Sequence, residues 1–295
     1  MAVLTATTQP KRGRHGGGHE AGPQSALGNA LAYAVAVVIV VVTIVPLLYV
    51  FLGGFRTTAQ INENPSGLPS PWVWANYKAV VTSSSFWHFL LNSAVIAIIA
   101  TVLTVGLGAM AAFALSRYVF RGREALFALF TIGLLFPLTV AALPLYLQLR
   151  RLGMLENLWG VAIPEAAFSL SITIVILRPF MRAIPGELED AAVVDGTSRL
   201  GFFWRVLLPL SAPALTTVGV LAFVTSWNFY ILPLLVFNEQ IHFTLPLGVA
   251  TFQSQYSVDT ARVFAFTALS MLPTLCFFVV AQRRIVGGLT GAVKG

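Results

Sequence analysis

The chain has 295 residues, of which 57% are hydrophobic and only 10% charged, with a formal net charge of +7. Ordinary soluble domains carry about 25% charged residues, so this composition excludes a water-soluble globule and points to the membrane. The basic surplus does not signal nucleic acid, because Lys and Arg sit beside hydrophobic runs rather than in a patch, and the single cysteine, Cys276, excludes both an internal disulfide and a cysteine metal site.

Residues 1–26 are polar, with Lys11, Arg12 and Arg14, and with His15 and His19 flanking a glycine triplet. They read as a disordered cytoplasmic tail rather than a metal site. No small-residue cleavage site follows the first apolar run, so that run reads as a retained span and not a signal peptide. A helix needs about 20 apolar residues to cross a bilayer. By that measure the sequence predicts an all-α integral membrane protein with six spans, at 27–52, 89–115, 125–147, 161–177, 212–235 and 263–281. Pro137 and Pro144 in the third span and Pro273 in the sixth are expected as kinks rather than ends. The division that follows is a tail at 1–26, the first span with a long outside loop at 27–88, a core at 89–283 containing a cytoplasmic loop at 184–209, and a C-terminal tail at 284–295. The outside loop carries Trp72, Trp74 and Tyr77 among turn formers, a composition suited to a membrane interface.

With both termini inside, thirteen of the 18 Lys and Arg residues fall in cytoplasmic segments. The outside holds only Arg56, Lys78, Arg150, Arg151 and Arg262, and the bias fixes the expected orientation.

Several chemistries are missing. A phosphate-binding loop needs Lys followed by Ser or Thr, but Lys11, Lys78 and Lys294 precede Arg, Ala and Gly. Neither HExxH nor GxSxG occurs, so the chain is not expected to be an enzyme. An intramembrane carboxylate costs about 2.5–3.5 kcal/mol and usually has a task. The one candidate is Glu165, expected as an interfacial residue facing an outside vestibule, with a place in a transport path as the alternative. Such a membrane protein is a passive pore or is driven by a partner.

The longest inside loop is where a partner would attach. Pro185 suits a helix start, and Glu187, Glu189 and Asp190 place negative charge in its first turn. Leu188, Ala191, Ala192 and Asp195 recur at helical spacing, which gives a small apolar face. Gly196 is placed to stop the helix, Ser198 to cap a second short one, and Pro209 to precede the next span. From the residues alone this is a helix–turn–helix on the inner membrane surface, whose bland reading is a surface hairpin.

The loop resembles the docking loop of inner-membrane permeases of binding-protein-dependent ABC importers. That pattern runs E-A-A, three residues, G, nine residues, I, one residue, L-P. Here Asp190-Ala191-Ala192 is followed at that spacing by Gly196, Val206, Leu208 and Pro209, with Asp190 in place of Glu and Val206 in place of Ile. Asn92-Ser93, Trp227-Asn228, the aromatic stretch ending at Tyr77 and the last eight residues look like the carbohydrate-uptake, maltose-permease-like branch. The resemblance implies a type I ABC importer transmembrane domain in the cytoplasmic membrane. It further implies a second homologous permease, two ATPase subunits that bind ATP and Mg, and an extracytoplasmic solute-binding protein. No cofactor is expected in this chain. Coupling to the ATPase would fall to Glu187, Glu189, Asp190, Ala191, Ala192, Asp195, Gly196 and Pro209. Trp227, Asn228 and Tyr230, with Glu165, are candidates for the substrate path, although helix packing is the blander role for Trp227, Asn228 and Tyr230. The rival readings are an ABC permease for a non-sugar solute and a self-sufficient secondary carrier.

Overall fold

The computed structural model describes residues 23–252 and 258–292, and side chains over 28–252 and 258–279. The histidine tail lies outside the described residues. Two compact units are distinguished, Met1–Tyr49 and Val50–Gly295.

The first unit contains most of α1 (Pro23–Gly53), which starts inside the stretch expected as tail. Val37 to Val42 are all exposed apolar side chains. A helix apolar all round suits lipid, not water.

The second unit is built on two helices that run side by side in the same direction, α4 (Ser84–Arg117) and α7 (Leu158–Ala183). Their seam is close at Gly108, where an added Cβ would lie 2.5 Å from Thr173 Cγ2. Gly108 and the fully buried Ala112 are the small-residue pair four apart that such an approach requires. α11 (Ala212–Trp227) lies against both helices in the opposite sense. α14 (Thr260–Ala292) packs on α11, with Phe223 and Phe277 4.2 Å apart. Pro273 leaves α14 unbroken, as expected, but the helix continues well into the stretch predicted as a C-terminal tail.

Two expected spans are not single helices. The third is α5 (Arg123–Gly133) and α6 (Leu138–Arg151), bent by 100°. Pro137 is the reason: it disfavours the helical conformation for Phe136, and the chain closes α5 with the tight bonds Leu135 N–H to Ile132 O and Phe136 N–H to Gly133 O. Pro144 is tolerated inside α6, as expected. The fifth ends at Trp227, and a separate short helix, α12 (Ile231–Val236), follows. Among the described residues, four helices are long and apolar enough to cross a membrane, or up to six if each of two bent pairs counts as one span.

The loop expected outside is ordered by two short helices, α2 (Thr58–Glu63) and α3 (Ala75–Thr82). Arg56, counted above among the basic residues expected outside, is 3% exposed. Its guanidinium donates to the carbonyls of Gln60, Asn64 and Pro65, closing the end of α2. Phe55 is caged by Trp72, Trp74 and Tyr77 at 5.2, 4.7 and 4.4 Å. The Tyr77 hydroxyl donates to Phe51 O at 2.6 Å, and burial pushes its pKa up to about 12.

Candidate functional site

After Ala183 the chain turns through Pro185 and Gly186 into α8 (Glu187–Val194). The helix begins two residues later than Pro185 suggests, and its first bonds run from Glu189 N–H and Asp190 N–H to Gly186 O. Its end is a Schellman motif: Thr197 N–H bonds Ala192 O at 2.9 Å, and Gly196 N–H bonds Val193 O at 3.0 Å. Gly196 takes φ +76°, and a Cβ there would meet open space, so only the backbone demands glycine. Ser198 Oγ then accepts from Gly201 N–H at 3.1 Å and starts α9 (Arg199–Phe202).

The hairpin returns to the bundle through a π turn at Phe203–Leu207 and the short α10 (Leu208–Leu210). Pro209 has no N–H for Arg205 O, and Leu208 N–H reaches back five residues to Phe203 O. The path then bends by 78° into α11.

Burial divides the hairpin. Ala192, Phe202, Phe203 and Leu207 are buried against Phe113, Leu177 and Met181. Phe113 and Phe203 rings lie 4.9 Å apart. Glu187, Leu188, Asp190, Ala191, Val193, Val194, Asp195 and Pro209 are exposed. The expected apolar face is therefore split. Ala192 turns inward as an anchor, Leu188, Ala191 and Asp195 point outward, and they are joined there by Val193, Val194, Leu200 and Trp204, which sequence periodicity missed.

Arginines fasten this hairpin's base. Arg117 Nη2 donates to Met181 O at 2.9 Å and Ile184 O at 2.8 Å, and Arg117 Nη1 stands 4.0 Å from the Glu189 carboxylate. Arg178, 5% exposed, donates from Nε to Leu115 O at 3.1 Å, pairs with Glu124, and lies 4.0 Å over the Phe127 ring. Both had counted only as inside positive charge.

A second feature lies between α7 and α11. Glu165, expected as an interfacial residue facing an outside vestibule, is 5% exposed. Ser226 Oγ donates to Glu165 Oε2, while the buried Oε1 has no partner. Both residues line a cavity of about 210 Å³, with Ser169, Thr173 and Thr225 adding hydroxyls and Phe229 an aromatic wall. The other substrate-path candidates do not line it. Trp227 is buried, stacked on Phe223 with its indole N–H 3.4 Å from Ser270 O. Asn228 Nδ2 closes its own helix by donating to Val224 O at 2.8 Å. Tyr230 is exposed at the start of α12.

The residue most clearly missed is Glu156, at φ 54° between α6 and α7. Its carboxylate accepts from Asn238 N–H at 2.7 Å, Asn238 Nδ2 at 2.8 Å and Glu239 N–H at 3.3 Å, with His242 Nδ1 3.2 Å away. Partial burial works to raise its pKa, but the Asn238, Glu239 and His242 bonds prevail and hold it below the usual value.

The sequence profile described as binding-protein-dependent transport system inner membrane component matches residues 104–285, and one described as a transmembrane domain of unknown function matches 19–118. The chain is similar to a diacetylchitobiose uptake system permease protein of Streptomyces coelicolor, 33% identical over 83% of this chain and 82% of the relative. It is 34% identical to a trehalose transport system permease protein of Mycobacterium tuberculosis, over 85% and 92%. It is 32% identical to an arabinooligosaccharides transport system permease protein of Halalkalibacterium halodurans, over 85% and 91%. The fold matches a chain from the crystal structure of a bacterial ABC transporter involved in the import of the acidic polysaccharide alginate, with a TM-score of 0.75 at 21% identity, covering 93% of this chain and 99% of that one.

Proposed function

Since the chain belongs to the family of binding-protein-dependent transport system inner membrane components, we propose that it is the permease subunit of an ATP-driven importer that passes a saccharide across the cytoplasmic membrane. The relatives' cargoes, diacetylchitobiose, trehalose and arabinooligosaccharides, support the saccharide class. The assembly consists of this chain, a second homologous permease, two ATPase subunits that hold ATP and Mg, and an extracytoplasmic solute-binding protein. This chain itself carries no cofactor and hydrolyses nothing. Both termini and the 184–209 hairpin face the cytoplasm.

The observation that carries the coupling role is the hairpin's division of surfaces. Its inner side is locked into the bundle by Ala192, Phe202 and Phe203, while its outer side presents Leu188, Ala191, Val193 and Val194 with Glu187, Asp190 and Asp195. That outer side docks in the ATPase. Closure of the two ATPase subunits on ATP moves the hairpin as a rigid lever. The motion enters α4 and α7 through Arg117, and enters α11 through the bend after Leu210. Because α7 and α11 form the walls of the Glu165 cavity, the same displacement changes access to it, and the cavity belongs to the translocation path.

Gly196→Pro tests the coupling. Proline cannot take φ +76°, so the α8 end is lost while the spans remain. The variant is expected in the membrane at wild-type level without co-purifying ATPase; wild-type co-purification would overturn the assignment. A reporter fused after Gly295 is expected to behave as cytoplasmic.

A further inference from the structure

The Glu165 cavity holds an acidic group that import of a saccharide does not by itself require. Its one ionisable lining group is a carboxyl, and among the described residues no Lys, Arg or His lines it. Glu165 is 5% exposed, one oxygen accepts from Ser226, and the other is buried and unpartnered. A buried polar oxygen without a partner is destabilising, so a ligand that brings a donor to Oε1 recovers that cost. Hydroxyl and ammonium groups are such donors. A carboxylate is not, and an anion taken into this mostly apolar space without a cation carries a desolvation penalty that nothing in the lining offsets. The volume of about 210 Å³ lies below the roughly 300–1,000 Å³ of sites for drug-sized ligands, which is room for a saccharide ring.

We propose that Glu165 is a specificity-determining residue of the translocation path, admitting neutral or amine-bearing saccharide rings and turning away acidic ones. The assignment rests on the reading of the chain as a saccharide permease.

The test uses the assembled importer with Cys276→Ser and Thr225→Cys, which places a lone thiol of this chain on an exposed position of the cavity wall. Labelling rates are measured with two methanethiosulfonate reagents, one bearing trimethylammonium and one bearing sulfonate, at about pH 8.5, where half of an ordinary cysteine is thiolate. Each rate is divided by that reagent's rate with free cysteine. The cationic reagent is expected to be favoured at least about tenfold. Glu165→Gln is expected to remove that preference, and Glu165→Asp, which keeps the carboxyl, to retain most of it. A ratio near one in the presence of Glu165, or a ratio unmoved by Glu165→Gln, overturns the inference.

Protection of the same thiol is then measured with glucose and with glucuronate. Slower labelling with glucose alone supports the inference. Equal protection by glucuronate, or protection by neither, overturns it. ATPase stimulation by the solute-binding protein is recorded in parallel. If that stimulation is absent, the importer reading itself fails; if it is present while the charge ratio is flat, only the role of Glu165 fails.

Discussion

Arg117 and Arg178 each donate to a carbonyl at the end of the other's helix. Arg117, in the last turn of α4, reaches Met181 O and Ile184 O at the end of α7, while Arg178, near the end of α7, reaches Leu115 O in α4. The last carbonyls of a helix have no partner within it, and the dipole makes that end negative. Two parallel helices that finish together thus brace each other with their own cations. α8 is attached to the same brace through Glu189, so the brace lies between the hairpin and the membrane bundle.

Removing one half of the brace should loosen the hairpin's footing. Arg117→Met keeps the apolar stem but leaves Met181 O and Ile184 O without their charged donor. Bonds to charged groups are worth about 1.5–3 kcal/mol each, so the loss of two is expected to cost about 3–6 kcal/mol in thermal unfolding of the purified complex. Arg178→Met should behave similarly, and the double variant should cost less than the sum, since both act on one junction. Full additivity would show two independent contacts instead.

Gly196 offers a graded version of the coupling test. Because a Cβ there meets open space, Gly196→Ala carries only the left-handed backbone penalty of about 1–2 kcal/mol. Gly196→Asn should carry less, since asparagine visits that region. ATPase affinity is expected in the order glycine, asparagine, alanine, with proline showing none. An alanine variant as weak as proline would mean that something other than φ sets the requirement.

What could be read in advance and what could not follows the range of the interactions. The hairpin was legible because Gly196, Ser198 and the acidic first turn act within a few residues. The apolar runs were legible because the bilayer sets their length. Pro137 was visible, but whether it kinks or breaks a helix depends on whether neighbours re-satisfy the backbone, and here the chain turns by 100°. Arg56, Arg117 and Arg178 counted only as charges, since the carbonyls they serve are set by tertiary placement. The burial of Glu165 was not legible because its hydrogen-bond partner, Ser226, lies 61 residues away. Glu156 was passed over for the same reason, since its partners lie beyond residue 235.

The α4–α7 seam predicts a rescue. Gly108→Ala places a Cβ 2.5 Å from Thr173 Cγ2, closer than packed carbons allow, and overpacking of this kind costs about 1–3 kcal/mol. Thr173→Ser deletes that methyl and keeps the hydroxyl. The alanine variant should therefore unfold at lower temperature, and the double variant should recover most of the loss. No recovery would place the strain elsewhere than at this contact.

The Glu156 knot predicts a pH dependence that the wild type shows and the Glu156→Gln variant lacks. The folded state holds this carboxyl below its ordinary 4.5, so the ionised form is the one that folding favours. Its contribution is complete above about pH 4.5 and is lost as pH falls through the lowered folded-state pKa. Glu156→Gln offers one oxygen where the carboxylate offers two, and its amide nitrogen would face the N–H donors of Asn238 or, if turned over, that of Glu239. The variant should be weaker by about 1–2 kcal/mol near neutrality, and the gap should close as the medium is acidified. Hydrogen exchange at the Asn238 amide, which donates to Glu156 at 2.7 Å, reads this locally. Protection should fall on acidification in the wild type once the intrinsic exchange rate is corrected for, and should be lower and level in the variant. A wild-type profile as level as that of Glu156→Gln would show that the carboxylate's charge does not hold the 236–242 segment to the start of α7.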